Sequence, residues 1–427
     1  MVWQLTLWTF VLASPWEAAA KPEASLELAS RVQSLVRQLN DRNLEQRQAA
    51  EEALKGLGID ALPQIPGNVA GASAEVRQRL DRVREHLERL AAAAIVQPSR
   101  VTLHGEMSVE EALNQVQQQT GNRLSGYAQR PGRVTLDCER VLFWEALDRI
   151  LDAGGLDVNS SAGQPQTLVL VARQANSRPR LNAGAYQGAF RIQPVRIEAR
   201  RDLRVAELRA AELFGLRVTL EIAWEPRLMP IAIRQSLKDV RAWADGDWQF
   251  LPTHSRGVLS AATESGISSV EIAIPLPLPQ RHVTRIARLA GSFEAMLPGR
   301  VERFEFAEPF TQGTQQRRAS VCVTLDRWRK NGDVREAAVR VQYDDPGTAL
   351  DSHRGWIYRN KAFLLKPDGG RADPSEMRLS HQGPDEIGIE YEFDQAGNAD
   401  GYRFCFEAPA SIERISVEYE LSDIPLP

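Results

Sequence analysis

The groups best suited to chemistry in this 427-residue chain are six histidines, three cysteines and two acidic loops. His86, His104, His254, His282, His353 and His381 are scattered. None forms H-x-H or H-E-x-x-H, the spacings that bring ligating side chains onto one face around zinc. The chain has no G-x-S-x-G elbow, P-loop or G-x-G-x-x-G turn, so no local pattern builds a serine nucleophile, phosphate cradle or cofactor site. Asp344, Asp345 and Asp351 surround a Pro-Gly turn, and Asp394, Asn398 and Asp400 precede Gly401. Clustered hard oxygens are what calcium prefers, yet neither loop has the EF-hand spacing, and solvated turn residues explain both more simply.

Cys322 and Cys405 both fall on expected strands near the C-terminus. In an exported chain they are the candidate disulfide, and closing so long a loop is worth roughly 4 kcal/mol in the chain-entropy picture. Two buried free thiols are the simpler expectation, and Cys138 has no evident mate. Trp243 and Trp248 flank Asp245-Gly246-Asp247. Aromatics beside a turn suit stacking on a sugar ring, whereas anchoring a sheet core is the commoner use of so large an apolar side chain. Eight arginines crowd between Arg178 and Arg209, interrupted by Glu198, Asp202 and Glu207. Such a stripe suits an anionic polymer, but the interspersed acids read as a solvated linker surface.

The wider composition narrows the context. Charged residues make up 25% and the formal charge is −4, so no global basic field points to nucleic acid. Residues 2–13 form a short apolar run that ends at Ala18-Ala19-Ala20, an A-x-A site before Lys21. A dozen apolar residues are too few to span a bilayer but suit a signal-peptide core. Cleavage is expected after Ala20, with export to the periplasm or cell envelope. No other apolar run is long enough for a membrane span.

Residues 25–94 have a helical period, with Leu28, Val32, Leu35 and Leu39 on one face and Val76, Leu80, Val83 and Leu87 on another. The order helix, R-Q-A-A-x-x-A-L-x-x-L-G, proline turn and E-V-R resembles a HEAT-type helical repeat. Repeats of that class stack on neighbours to bury both faces. Residues 100–173 repeat internally. Val101-Thr102-Leu103 is echoed by Val134-Thr135-Leu136 at an offset of 33, and Glu111-Ala112-Leu113 by Glu145-Ala146-Leu147 at an offset of 34. Each half reads as strand, amphipathic helix and strand, with a capping box at Ser108 and Glu111. This pattern resembles the short N-terminal modules of secretins and TonB-dependent receptors. The resemblance implies a small α/β module of the bacterial periplasm that docks on other proteins, and it carries no catalytic residues.

Residues 174–188 read as a linker, and beyond them apolar and polar residues alternate as in half-buried strands. Residues 189–312 are expected to form one β-sandwich. Residues 313–318 are read as a joint, and residues 314–427 as a second sandwich of immunoglobulin-like size, with strands at 320–325, 334–343, 355–365, 387–393, 402–407 and 415–420. Trp224-Glu225-Pro226 and the terminal Ile424-Pro425-Leu426-Pro427 resemble segments of uncharacterised bacterial envelope proteins. The expected class is therefore multidomain α+β. The expected role is an exported, non-catalytic interaction or scaffold protein with a protein partner in the envelope. The alternative is a polysaccharide-binding protein, or an accessory subunit of a glycan-active enzyme, using Trp243 and Trp248.

Overall fold

The computed structural model describes residues 15–66, 71–95, 97–128, 132–160, 164–201, 214–244, 249–252, 256–350, 354–394 and 401–427. The chain is mixed α+β and divides into two compact units, Met1–Ala93 and Ala94–Pro427. No described helix is long and apolar enough to cross a membrane. The apolar run at 2–13 lies outside the described residues, and the first helix runs through Ala20.

The first unit holds α1 (Pro15–Gln38), α2 (Leu44–Gly56) and α3 (Ala74–Ile95). Asn43 opens α2 by accepting from the Glu45 N–H at 2.8 Å, which satisfies one of the free donors at a helix start. Gly58 follows the helix at φ +79°, a left-handed conformation that glycine adopts without a side-chain clash. Val32, Leu39, Ala50, Leu54, Val76, Leu80, Val83 and Leu87 form the core. One carboxylate lies at its edge. Glu51, 5% exposed, accepts from Nη1 of Arg79 at 2.7 Å and from Nε and Nη2 of Arg82 at 2.8 and 2.7 Å. Arg82, joined by Lys55 and Arg79, outweighs the burial penalty and holds this carboxyl at about 2.

The second unit begins with a module of strand, helix, strand, strand, helix, strand, strand. These are β1 (Arg100–Ser108), α4 (Val109–Thr120), β2 (Arg123–Ser125), β3 (Arg133–Leu142), α5 (Phe143–Gly154), β4 (Leu156–Asn159) and β5 (Thr167–Ala172). β1 pairs antiparallel with β3, while β2, β5 and β4 form a second small sheet in which β2 and β5 run parallel. Ser108 caps α4 through the Glu111 N–H at 3.1 Å, and Gly121 and Gly155 end the two helices in the left-handed region. The core is built from both halves of the repeat: Val101, Leu103, Ala112, Leu113, Val134, Leu136, Ala146 and Leu147 all belong to it.

Two pairs of facing sheets follow. The first pair contains β6 (Ala185–Gln187), β7 (Phe190–Arg201), β8 (Phe214–Trp224), β9 (Ala232–Ser236), β10 (Arg241–Ala244), β11 (Gln249–Phe250), β12 (Val258–Ala262), β13 (Ser269–Leu276) and β14 (Arg285–Pro298). One sheet has the order β13-β8-β7-β6, with the proline-bearing β13 at its edge, where a missing N–H interrupts no ladder. The facing sheet has the order β11-β10-β14-β9-β12. The second pair contains β15 (Val301–Ala307), β16 (Thr314–Arg318), β17 (Val321–Asn331), β18 (Val334–Tyr343), β19 (Lys361–Leu365), β20 (Arg371–Ala372), β21 (Glu376–Gln382), β22 (Glu386–Phe393) and β23 (Arg403–Pro409). Its sheets run β15-β23-β19-β20 and β16-β17-β18-β22-β21 around a core that includes Phe304, Tyr343, Trp356, Tyr391, Phe404 and Phe406.

Four features differ from the linear reading. The last strand, β24 (Ile412–Pro425), returns to the first sheet pair and lies along the whole of β14, from Arg285 opposite Pro425 to Pro298 opposite Ile412. β15 crosses the other way, pairing with β23 of the second sheet pair. The two sheet pairs therefore exchange strands, and residues 314–318, expected as a joint, form a strand on β17. Residues Arg354–Arg359 form a 3-10 turn rather than the start of a strand, because a short apolar run such as Gly355-Trp356-Ile357 has no period that separates the two. Trp356 anchors that turn by donating from Nε1 to the Ala349 carbonyl at 3.0 Å.

Candidate functional site

The polar chemistry of the second unit concentrates where the α/β module meets the first sheet pair. Glu225 ends the β8 segment in Trp224-Glu225-Pro226 and is fully buried. Its Oε1 accepts from the Ser99 N–H at 2.8 Å. Its Oε2 accepts from the Ser99 hydroxyl at 2.5 Å, from Nδ2 of Asn122 at 3.0 Å and from Nε of Arg227 at 2.7 Å. The Asn122 amide oxygen in turn accepts from the Arg227 N–H at 3.1 Å, and Nη2 of Arg227 donates to the Gln97 carbonyl. A carboxylate taken from water is tolerated only when donors replace its hydration, and here they come from the start of the module, the end of α4 and the sheet pair itself.

A second buried cluster lies along α5. Asp148, fully buried, accepts from Nη1 of Arg191 at 2.6 Å and from the Tyr186 hydroxyl at 2.8 Å. Arg191 also reaches Glu221 on β8 at 3.3 Å, and Gln193 donates to the same oxygen at 2.8 Å. The Arg191 guanidinium lies 4.4 Å from the Trp144 ring centre, and Trp144 Nε1 donates to the Ala189 carbonyl at 3.2 Å. Burial pushes the Asp148 carboxyl upward against the pull of Arg191, and burial beside Asp148 lifts the Tyr186 phenol strongly. The segment expected as a free linker is pinned here too. The Arg180 and Leu181 N–H groups each donate to Asp152 at 2.9 Å, and the Arg180 guanidinium pairs with Asp157.

These contacts correct the view of the arginine stripe as solvated surface at two positions, Arg180 and Arg191, while Arg178, Arg196 and Arg200 are exposed as that view expects. Arg180 and Arg191 are consumed in ion pairs inside the joint, while Arg196 pairs at the surface with Glu271 at 3.0 Å; Arg204 and Arg209 lie outside the described residues. The signal missed in the sequence was Asp148 itself. It falls among Trp144, Leu147 and Leu151 on the apolar face of α5, where an unpaired acid would be costly.

The remaining sequence candidates are dispersed. Asp344 pairs with Arg317, and Asp345 with Nη2 of Arg414 at 2.7 Å, so their carboxylates meet guanidinium groups rather than one another. Asp394 is exposed after β22, and Asp351, Asn398 and Asp400 lie outside the described residues, as do His254 and His353. Among the described residues no group of three or more His, Cys, Asp or Glu side chains is placed to hold a metal ion. The Cys322–Cys405 bridge does not form; both thiols are free, and so is Cys138. Val321 and Val323 face the core, which turns Cys322 outward, and Phe404 and Phe406 do the same for Cys405 on the facing sheet. The two sulfurs leave the sheet pair on opposite sides. His104 sits on the exposed face of β1, with Nδ1 2.9 Å from Asp137 and Nε2 3.1 Å from Glu139. Both carboxylates favour its charged form, Glu139 most strongly.

Trp243 does not anchor the core. Its neighbours Ala242 and Ala244 point inward, and its half-buried ring stands on the outer face with the Arg288 guanidinium 4.5 Å from its centre. Trp248 lies outside the described residues. Arg288 pairs with Glu420 at 2.8 Å, and both line a shallow groove of about 540 Å³ with Arg241, Ala290, Ser292 and Glu418. The arginines, carboxylates and Ser292 of this lining make a polar surface that can donate and accept hydrogen bonds. No family model matches the chain, and no curated protein matches it in sequence.

Proposed function

We propose that this chain is an exported, non-catalytic protein of the bacterial cell envelope that works by holding another protein. In this reading the first unit is a HEAT-like hairpin, the module at 100–173 is related to the short N-terminal modules of secretins and TonB-dependent receptors, and the strands beyond it are two β-sandwiches. The observation that carries the reading is the buried joint around Glu225 and Asp148. It fixes the small module on the first sheet pair, so the module's outer surface is presented on a rigid base, as a scaffold requires. Cross-linking in intact envelopes followed by mass spectrometry tests it: cross-links from residues 100–172 to one recurring protein are expected. A chain that stays monomeric and uncross-linked under those conditions overturns it. Mature protein beginning at Lys21 is the expected mark of export.

The outward position of Trp243 beside the Arg288–Glu420 groove favours one second reading, polysaccharide binding. The ring face already carries Arg288, so a sugar must displace that guanidinium or stack over it. Retention on a polysaccharide array that is lost in Trp243→Ala supports this reading; no retention of the parent protein removes it.

A further inference from the structure

β24 is the longest edge strand among those described: 14 residues, paired with β14 on one side and with no strand on the other. The far side of β14 shows which groups are left over. The Met296 carbonyl accepts from the Ile231 N–H at 2.7 Å, and the Ser292 carbonyl from Nε2 of Gln235 at 2.8 Å, so both residues turn their backbone groups toward β9. Their register partners on β24 are Arg414 and Glu418. Backbone groups alternate sides along a strand, so Arg414, Ser416, Glu418, Glu420 and Ser422 turn theirs to the open edge. Among the described residues none hydrogen-bonds to those groups. Their side chains are exposed, while Val417, Tyr419 and Leu421 between them are held in the core. β6 of the facing sheet approaches this edge without forming a ladder to it.

Folded proteins blunt open edges with prolines, bulges or covering chain. The edge strand β13 carries Pro275, and the edge strand β21 has a break in register between Leu379 and His381. β24 has such devices only near its end, Asp423 at φ +53° and Pro425, and its register from Ile412 to Ser422 is unbroken. We propose that this edge pairs with the same edge of a second copy, joining two chains through one continuous antiparallel sheet. A two-fold axis at Val417 sets Arg414 opposite Glu420 of the second copy and Ser416 opposite Glu418, and the symmetry makes each pair twice. In that register every residue with free N–H and C=O groups meets another with the same groups free. Opposite charges directly across a ladder stabilise it and like charges weaken it. An axis at Glu418 would set that carboxylate against itself, and one at Ser416 would leave Glu420 opposite Ile412. Within one chain Arg414 pairs with Asp345 and Glu420 with Arg288, but both pairs are exposed, so exchanging them for cross-strand pairs costs little. The contact is independent of the scaffold role proposed above.

Sedimentation velocity of the full chain from about 1 to 100 µM tests the proposal. The mass is expected to double toward the upper end. Ser416→Pro removes an N–H that no ladder within the chain uses, and it is expected to raise the dissociation constant at least about tenfold with an unchanged circular dichroism spectrum. Arg414→Glu and Glu420→Arg should each weaken the dimer by about tenfold, because each sets like charges across the axis twice, and the double variant should restore it. A parent chain that stays monomeric throughout overturns the proposal. A dimer that neither Ser416→Pro nor the single charge reversals weaken overturns it too, as does one that the double reversal fails to restore. Should Ser416→Pro not fold, the charge series decides alone.

Discussion

Arg191 and Asp148 meet at 2.6 Å between the α/β module and the first sheet pair, with 1% and 0% of their side-chain surfaces exposed. Forty-three residues of chain separate them, so the contact is a statement about how two layers are joined rather than about local structure. Removing either partner alone leaves the other in a low-dielectric wall with only its second contact, Glu221 for Arg191 and the Tyr186 hydroxyl for Asp148. Asp148→Asn and Arg191→Met are each expected to cost about 3–5 kcal/mol. The double variant should lose less than the sum, and urea unfolding in a double-mutant cycle measures the difference. Additive losses would show that the two groups are not coupled.

Glu225→Gln keeps the shape of the socket but turns one oxygen into a donor facing Asn122, Arg227 and Ser99. A loss of about 2–4 kcal/mol is expected. Hydrogen exchange should accelerate at the Ser99 and Arg227 N–H groups before the rest of the unit opens.

The first unit should weaken in acid. Glu51 titrates at about 2 when folded against an ordinary 4.5, so its ion pairs contribute fully above the unfolded value and are lost as pH falls from there through about 2. The loss amounts to about 2–3 kcal/mol at most. Helix ellipticity followed through heat unfolding between pH 5 and 2 reads it, and Glu51→Gln should flatten the dependence in that window.

His104 works with the opposite sign. Glu139 and Asp137 raise its pKa, so the folded state holds this proton more tightly. Its contribution is complete below the ordinary histidine range and fades as pH rises through the elevated folded value. The imidazole resonances of the folded chain should titrate above those of a His104-containing peptide, and Asp137→Asn with Glu139→Gln should bring them back.

The cysteines give a chemical test of the strand registers. Burial pushes the Cys405 thiol up to about 11, whereas Cys322 is half-buried on an outward face. A thiol reagent at neutral pH should modify Cys322 at least tenfold faster than Cys405, and intact mass without reductant should show no bridge.

Much of this architecture is legible in the residues. Alternation in Val101-Thr102-Leu103 and Val134-Thr135-Leu136, the Ser108 cap and the glycines at 121 and 155 act within a few residues, so they determine strands and helices wherever the chain is placed. The same holds for Val218-Thr219-Leu220 and for the proline edge of β13. Local pattern is weaker where tertiary context supplies the contacts, as at the Trp356 turn and in the polar strand β16, whose Gln316 and Arg318 lie against β17 with no apolar period of their own.

The sequence by itself determined the helices and the strands with a clear apolar period, because periodicity and caps are short-range. Only the tertiary structure decided which partners those elements meet. The pairing of β14 with β24, the gathering of Ser99, Asn122 and Arg227 on Glu225, and the burial of Arg191 against Asp148 join residues far apart in the chain. No spacing encodes such meetings; they arise because sheet edges need hydrogen-bonded neighbours and a buried charge needs its counter-charge.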